Sequence, residues 1–224
     1  MLSLSLSKPR GRPLRVLCLG AHSDDIEIGC GGTVLRLVSA GAKVHWAVFS
    51  GDEPRAEEAA RSARLFLGQN GSPNLTLHQF RDGFFPAEFA EIKEAFEDLA
   101  KKFQPDVVLT HARTDRHQDH RLLSDLAWNT FRRQVVLEYE IPKWDGDMEQ
   151  PNCYVALPGA TARRKIKALM KLFATQRSKD WFDDATFLGL MRLRGVECRA
   201  PSGYAEAFVS RKFTVDLASH DGRR

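Results

Sequence analysis

Residues Arg15 to Thr33 read RVLCLGAHSDDIEIGCGGT, and the parsing of this stretch decides the fold. Val16 to Leu19 is an unbroken apolar run of strand length that stops at Gly20, the pattern of a strand buried on both faces. His22, Asp24 and Asp25 follow at once. Gly29, Gly31 and Gly32 then let the backbone turn tightly into a helix expected over Thr33 to Ser39. An open α/β sheet binds ligands in the crevice beyond the carboxyl ends of its strands, so this acidic loop falls where chemistry is expected.

Moving outward, Asp106 to Thr110 (DVVLT) reads as a second buried strand, and Asp115-Arg116-His117-Gln118-Asp119-His120 follows shortly after it. An Asp pair behind one strand is as readily a helix N-cap or a polar turn. Two strand ends that each carry His and Asp instead fit a divalent metal site. Catalytic zinc takes three His or carboxylate ligands and keeps a position for water. A 2-His-1-carboxylate set also holds Fe(II). His22, Asp25 and one histidine of the second cluster would complete such a set and leave Asp24 free to act as a base.

His22-Ser23-Asp24-Asp25 followed by Gly-Cys-Gly-Gly-Thr, together with Asp115-x-His117-x-Asp119-His120, resembles the paired signature of the LmbE-like, or PIG-L, family of zinc-dependent N-acetylglucosaminyl deacetylases. The family's usual first motif has Pro where this chain has Ser23, a position that is no ligand. Weaker similarity runs from Arg15 to about Phe213 through Arg55 with Glu58, Leu67-Gly68, Asp82-Gly83 and Tyr204 to Phe208. The resemblance implies a single-domain, Rossmann-like three-layer α/β sandwich with a mostly parallel sheet. It implies one Zn2+ per chain, held by His22, Asp25 and His120, with Fe2+ or another divalent ion as alternatives. Asp24 becomes the general base, and a protonated His117 the general acid or oxyanion stabiliser, held in its cationic form by Asp119. Arg55 becomes a contact to sugar hydroxyls; the plainer reading pairs it with Glu58 one turn on. The implied reaction is removal of the N-acetyl group from an N-acetylglucosamine-type sugar or its conjugate by water activated at the metal, giving acetate and a free amine.

Composition sets the class around this site. The chain has 224 residues, 43% hydrophobic and 28% charged, enough for one sizeable soluble domain. The domain is expected over residues 14–215, with a flexible N-terminal arm at 1–13 and a tail at 216–224. A net charge of +4 spread along the chain, without a nucleic-acid motif, argues against nucleic acid as a partner. No apolar run reaches the roughly 20 residues needed to span a bilayer. The first 15 residues put Leu and Ser before their positive charges, the reverse of a secretory signal. Cys18, Cys30, Cys153 and Cys198 lie far apart, so a cytoplasmic protein with reduced thiols is expected. Homo-oligomer formation is left open.

The remaining pattern alternates. Strands are expected at Lys43 to Phe49, Leu75 to Phe80, Val107 to Leu109, Val135 to Ile141, Tyr154 to Leu157 and Ala207 to Phe213. Helices fall between them at Ala56 to Leu67, Phe89 to Phe103, Leu122 to Arg132, Ala162 to Phe173 and Phe182 to Arg194. Such alternation means a parallel sheet with right-handed crossovers. The basic residues Arg163, Arg164, Lys165, Lys167 and Lys171 read as a solvated helix face. Tyr139, Glu140, Trp144, Tyr204 and Glu206 are candidates for the mouth of the site, and His111 is a reserve candidate near it. Three rivals remain. An Fe(II) oxygenase normally places one residue between its two close ligands, and here two separate His22 from Asp25. A phosphate-cradling turn at Gly29 to Gly32 lacks the G-x-G-x-x-G spacing and is preceded by two carboxylates. The same fold acting on a non-sugar acyl amine stays open.

Overall fold

The computed structural model describes residues 3–6, 9, 11–68 and 74–215. The expected tail at 216–224 and part of the expected arm lie outside them. Seven strands form one sheet: β1 (Arg15–Gly20), β2 (Lys43–Val48), β3 (Leu75–Leu77), β4 (Val107–His111), β5 (Val135–Tyr139), β6 (Cys153–Leu157) and β7 (Tyr204–Val209). Their order is β3-β2-β1-β4-β5-β7-β6. From β3 to β5 every pairing is parallel, and β7 runs antiparallel to both β5 and β6. Six α-helices accompany it among the described residues: α1 (Asp25–Ser39), α2 (Arg55–Leu67), α3 (Phe89–Phe103), α4 (Gln118–Thr130), α5 (Gly159–Leu172) and α6 (Asp184–Glu197).

The period of two along each strand builds the layers. In β1, Val16 and Cys18 enter one core with Val34, Phe66, Leu169 and Phe187, while Leu17 and Leu19 enter the other with Phe96 and Leu123. One face is thus covered by α1, α2, α5 and α6 and the other by α3 and α4. This is the expected three-layer α/β sandwich. From β1 the chain passes to β2 on one side and later returns to β4 on the other, which makes the gap between the carboxyl ends of β1 and β4 the switch point where such sheets bind ligands. His22 follows β1, and Asp115 to His120 follow β4. All four cysteines are free, and no helix among the described residues is long and apolar enough to cross a membrane.

Element boundaries shift by a few residues from expectation. The largest change is α1, which begins at Asp25 and not at Thr33. The glycine-rich stretch is no turn. It lies inside the helix, which breaks at Cys30 with φ −144° and ψ 16°. A Cβ on Gly29 would stand 2.1 Å from the Tyr139 ring, and one on Gly32 would stand 2.5 Å from Leu157. These glycines let the helix lie close on the sheet and on β6. A break frees backbone N–H groups beyond it, and Glu206 on β7 takes two of them: its Oε1 accepts from Gly32 N at 2.8 Å and its Oε2 from Thr33 N at 2.6 Å. Lys165 on α5 balances that charge, donating from Nζ to Glu206 Oε1 and to the Ile28 carbonyl, each at 2.6 Å. Lys165 is therefore buried, in contrast to the solvated face expected for the α5 cations.

Candidate metal centre

Helix α1 starts immediately after β1, so Asp25 in its first turn faces His22 across one bend, and the His22 backbone N–H donates to Asp25 Oδ2 at 2.6 Å. Helix α4 starts likewise behind β4 and carries His120 in its first turn. Three donor atoms meet between them. His22 Nδ1 lies 3.1 Å from His120 Nε2 and 3.4 Å from Asp25 Oδ2, and His120 Nε2 lies 3.6 Å from Asp25 Oδ1. Bonds of about 2.0–2.2 Å to a tetrahedral ion set its donors about 3.3–3.6 Å apart, and the two imidazole nitrogens and the two Asp25 oxygens stand close to that spacing. The side chains are buried, which excludes the bland reading of a solvated turn.

The far side of each imidazole fixes its tautomer. His22 Nε2 faces Asp82 Oδ1 at 3.0 Å and Asp119 Oδ2 at 3.4 Å, while His120 Nδ1 faces Asp115 Oδ2 at 2.9 Å. Carboxylates that take the outer ring proton leave the inner lone pair for a metal. Asp115 is itself held by Lys143 Nζ at 3.1 Å, from the loop after β5. Burial opposes the Asp115 anion, yet its hydrogen bond to His120, the neighbouring imidazoles and Lys143 keep its carboxyl well below the usual range. Burial pushes His120 down to about 4, with His111 adding to the effect, so this imidazole is neutral, as a ligand must be.

Other donors near the triad are engaged elsewhere. His111 stacks on His120 with centroids 3.9 Å apart, but its Nε2 accepts the Ala21 N–H at 3.0 Å. His117 is the N-cap of α4, and its Nδ1 accepts the Asp119 N–H at 3.3 Å. Donor atoms within 4.8 Å of one another group His22 with His117 and His120, His22 with Asp82, His117 and Asp119, and Asp25 with His111 and His120, so His22, Asp25 and His120 are spread over overlapping sets. His22, Asp25 and His120 are the set whose donor atoms converge between the ends of β1 and β4. Burial opposes the His22 cation, yet the carboxylates around it hold its imidazole well above the usual range, so ligation there displaces a proton.

Asp24 and Asp25 are both buried and differ in charge. Burial opposes the Asp25 anion, but His120, His111 and His22 hold it well below the usual carboxylate range. Burial and then the Asp25 charge push Asp24 up to about 6, against the pull of His22, Lys179 and Arg55. Three expectations change here. Asp119 does not hold the His117 ring: its carboxylate accepts from Gly83 N at 2.6 Å and Phe85 N at 3.1 Å and leans on His22, because α4 begins at Gln118 and turns that side chain under the Asp82-Gly83 turn. His117 is also not driven to its cation; burial and then the His22 charge lower its pKa. Arg55 pairs with Asp82, not with Glu58, whose carboxylate is taken by Thr175 N and Oγ1 at 3.1 and 2.6 Å.

Of the mouth candidates, Tyr139 is buried with its hydroxyl on the Leu19 carbonyl, Glu140 pairs with Arg194, and Glu206 caps the break in α1. Trp144 stands exposed. Asp115, inside the second motif, and Asp82, in the weaker Asp82-Gly83 similarity, have no site role assigned from the sequence, and no sequence signal points to Lys143.

A doubly wound α/β sheet that gathers His22, Asp25, His120 and Asp24 at its switch point defines an α/β class with a candidate metal centre. The family model described as PIG-L, GlcNAc-PI de-N-acetylase, matches residues 17–131, and the chain belongs to that family. The uncharacterized deacetylase YaiS of Escherichia coli strain K12 is 31% identical over 148 residues, covering 60% of this chain and 78% of that protein. Among solved structures, the N,N′-diacetylchitobiose deacetylase of Pyrococcus horikoshii superposes with a TM-score of 0.68 at 21% identity, over 88% of this chain and 83% of that one. The 4-carboxy-2-hydroxymuconate hydratase GalB of Pseudomonas putida KT2440 superposes with a TM-score of 0.69 at 19% identity, over 92% of this chain and 100% of that one.

Proposed function

We propose that this protein is a metal-dependent N-deacetylase, acting on an N-acetylated amino sugar or its conjugate. The hydratase shares the fold, so the fold alone does not name the reaction. The observation that carries the reading is the convergence of His22, Asp25 and His120 beside a carboxylate pushed up to about 6. Family membership and the deacetylase relatives support the acetyl amide as the bond cleaved.

His22, Asp25 and His120 would hold one divalent ion, zinc by donor chemistry. Bound there, the ion acidifies water and polarises a carbonyl. The chain's own residues divide the rest. Asp24, a carboxylate at neutral pH, takes the proton of the attacking water. The Asp119 N–H on His117 Nδ1 leaves the proton of the neutral ring on Nε2, which donates to the oxyanion of the tetrahedral species. Asp24 then returns its proton to the leaving nitrogen as the C–N bond breaks, and acetate and the free amine result. Asp82, partly exposed beside His22, and its partner Arg55 offer polar contacts for sugar hydroxyls.

The test is metal content of the purified protein with acetate release from N-acetylglucosamine conjugates, with and without chelator. Near-stoichiometric zinc and chelator-sensitive release support the reading. Zinc without release points to another acylated amine, and absence of any metal overturns the assignment of the three ligands.

A further inference from the structure

We infer that Trp144 and Trp181 form an aromatic wall at the mouth of the site that stacks against the second ring of an amino-sugar conjugate. The inference rests on the deacetylase reading and names its substrate more narrowly: an amino sugar carrying a further sugar ring. Trp144 is 67% exposed, the most exposed Trp or Phe among the described residues. It is nevertheless fixed. Its Nε1 donates to Asp180 Oδ1 at 2.7 Å, and its ring meets Trp181 edge-on with centroids 6.0 Å apart. Trp181 in turn packs edge-on against Phe182 at 5.8 Å and Phe187 at 6.4 Å, which ties the wall to the core beneath α6.

Two links join this wall to the metal centre. Lys143, the residue before Trp144, turns inward to Asp115, which holds His120. The loop is thus anchored at a ligand's partner through one residue and displays an indole from the next. Lys179 is the second link: its Nζ stands 5.4 Å from the Trp181 centroid, and its charge, like that of Arg55, acts on Asp24. On these two links we place the wall within reach of the ring that follows the acetamide of a bound sugar.

The chemistry of the wall fits a pyranose better than a protein partner. With the N–H edge occupied by Asp180, Trp144 has its apolar face left to offer, and the flanking Lys179 and Asp180 supply polar groups for hydroxyls. An indole pinned before binding loses little further freedom when a ligand arrives. One ring and its neighbour are also far smaller than the contiguous apolar patch of a protein interface. Trp144, Lys179, Asp180 and Trp181 lie beyond residue 131, where the family match ends.

The test compares acetate release from N-acetylglucosamine and from its β1,4-linked dimer, N,N′-diacetylchitobiose, by the metal-loaded full chain. Trp144→Ala is expected to lower the dimer-to-monomer ratio of kcat/KM by about three- to tenfold, one stacked aromatic face, mainly through KM. Trp144→Phe retains most of the ratio. An unchanged ratio overturns the subsite. A second readout needs no turnover: the dimer is expected to quench tryptophan fluorescence of the native protein, and the quench to shrink in Trp144→Ala. Absent quenching, or quenching unaltered by the substitution, also overturns it. Native protein that hydrolyses neither sugar counts against the deacetylase reading, and the fluorescence titration still decides the wall.

Discussion

Asp24 and Asp25 are neighbours, are equally hidden from solvent and carry opposite electrostatic burdens, because one faces the imidazoles and the other faces its partner's charge. That division predicts separable losses. Asp24→Asn should keep the metal and lower kcat by about 10²–10⁴, the usual worth of a positioned base. His120→Ala should lose both metal and turnover, and equal metal loss in the two variants would sink the assignment. The sign of the pH effect follows from the role: the base works deprotonated, so kcat/KM should fall on the acid side as Asp24 takes up its proton. The ion's charge moves that pH below the value of about 6 set by burial and Asp25, and Asp24→Asn should flatten the limb. One layer out, Asp115→Asn should weaken metal affinity by about 10–100-fold, read by competition with a chromogenic chelator. A loss no greater than threefold would show that His120 holds its tautomer without help. That His22, Asp24, Asp25 and His120 gather in one place was legible because two short segments contain them all. Asp82 and Lys143 were not, since tertiary packing brings each to its imidazole or carboxylate from a separate loop.

At the scale of elements, the break in α1 explains how one helix serves both the site and the core. Its first turn carries Asp25, its second part packs on β6 and α5, and Glu206 joins the two by accepting N–H groups across the break. Glu206→Gln removes a charge that Lys165 still needs, both being buried, and should destabilise the protein by about 3–5 kcal/mol in urea unfolding. Adding Lys165→Met should restore much of that loss, since a buried pair replaced by apolar groups is often neutral. A double variant no more stable than the single one would show that the hydrogen bonds to Gly32 and Thr33, and not the charge balance, hold the break. Elements with plain periodicity were legible: α3 runs Phe89–Phe103 as its apolar spacing dictates. The start of α1 was not, because glycine that turns a chain and glycine that admits a close neighbour look alike until Tyr139 and Leu157 are in place.

At the scale of the whole molecule, the switch point makes the metal centre a clasp between the ends of β1 and β4, strands that pair in register from Val16 with Val107. No residue pattern dictates that neighbour relation directly; the alternation of strands and helices and the two His-Asp motifs behind separate strands are what make it expected. A ligand that binds only the folded chain stabilises it by mass action, about 2.7 kcal/mol at one hundred times Kd. In a domain of this size each kcal/mol moves Tm by about 2–4 °C, so saturating zinc should raise Tm by about 5–11 °C over chelated protein. Because His22 and Asp25 come from the β1 end and His120 from the β4 end, His120→Ala should abolish most of this shift while leaving the chelated Tm within a few degrees. Thermal unfolding with zinc and with chelator measures both. An equal shift in native protein and His120→Ala would place the bound zinc elsewhere, and no shift in the native protein would mean that the three donors do not act together on an ion.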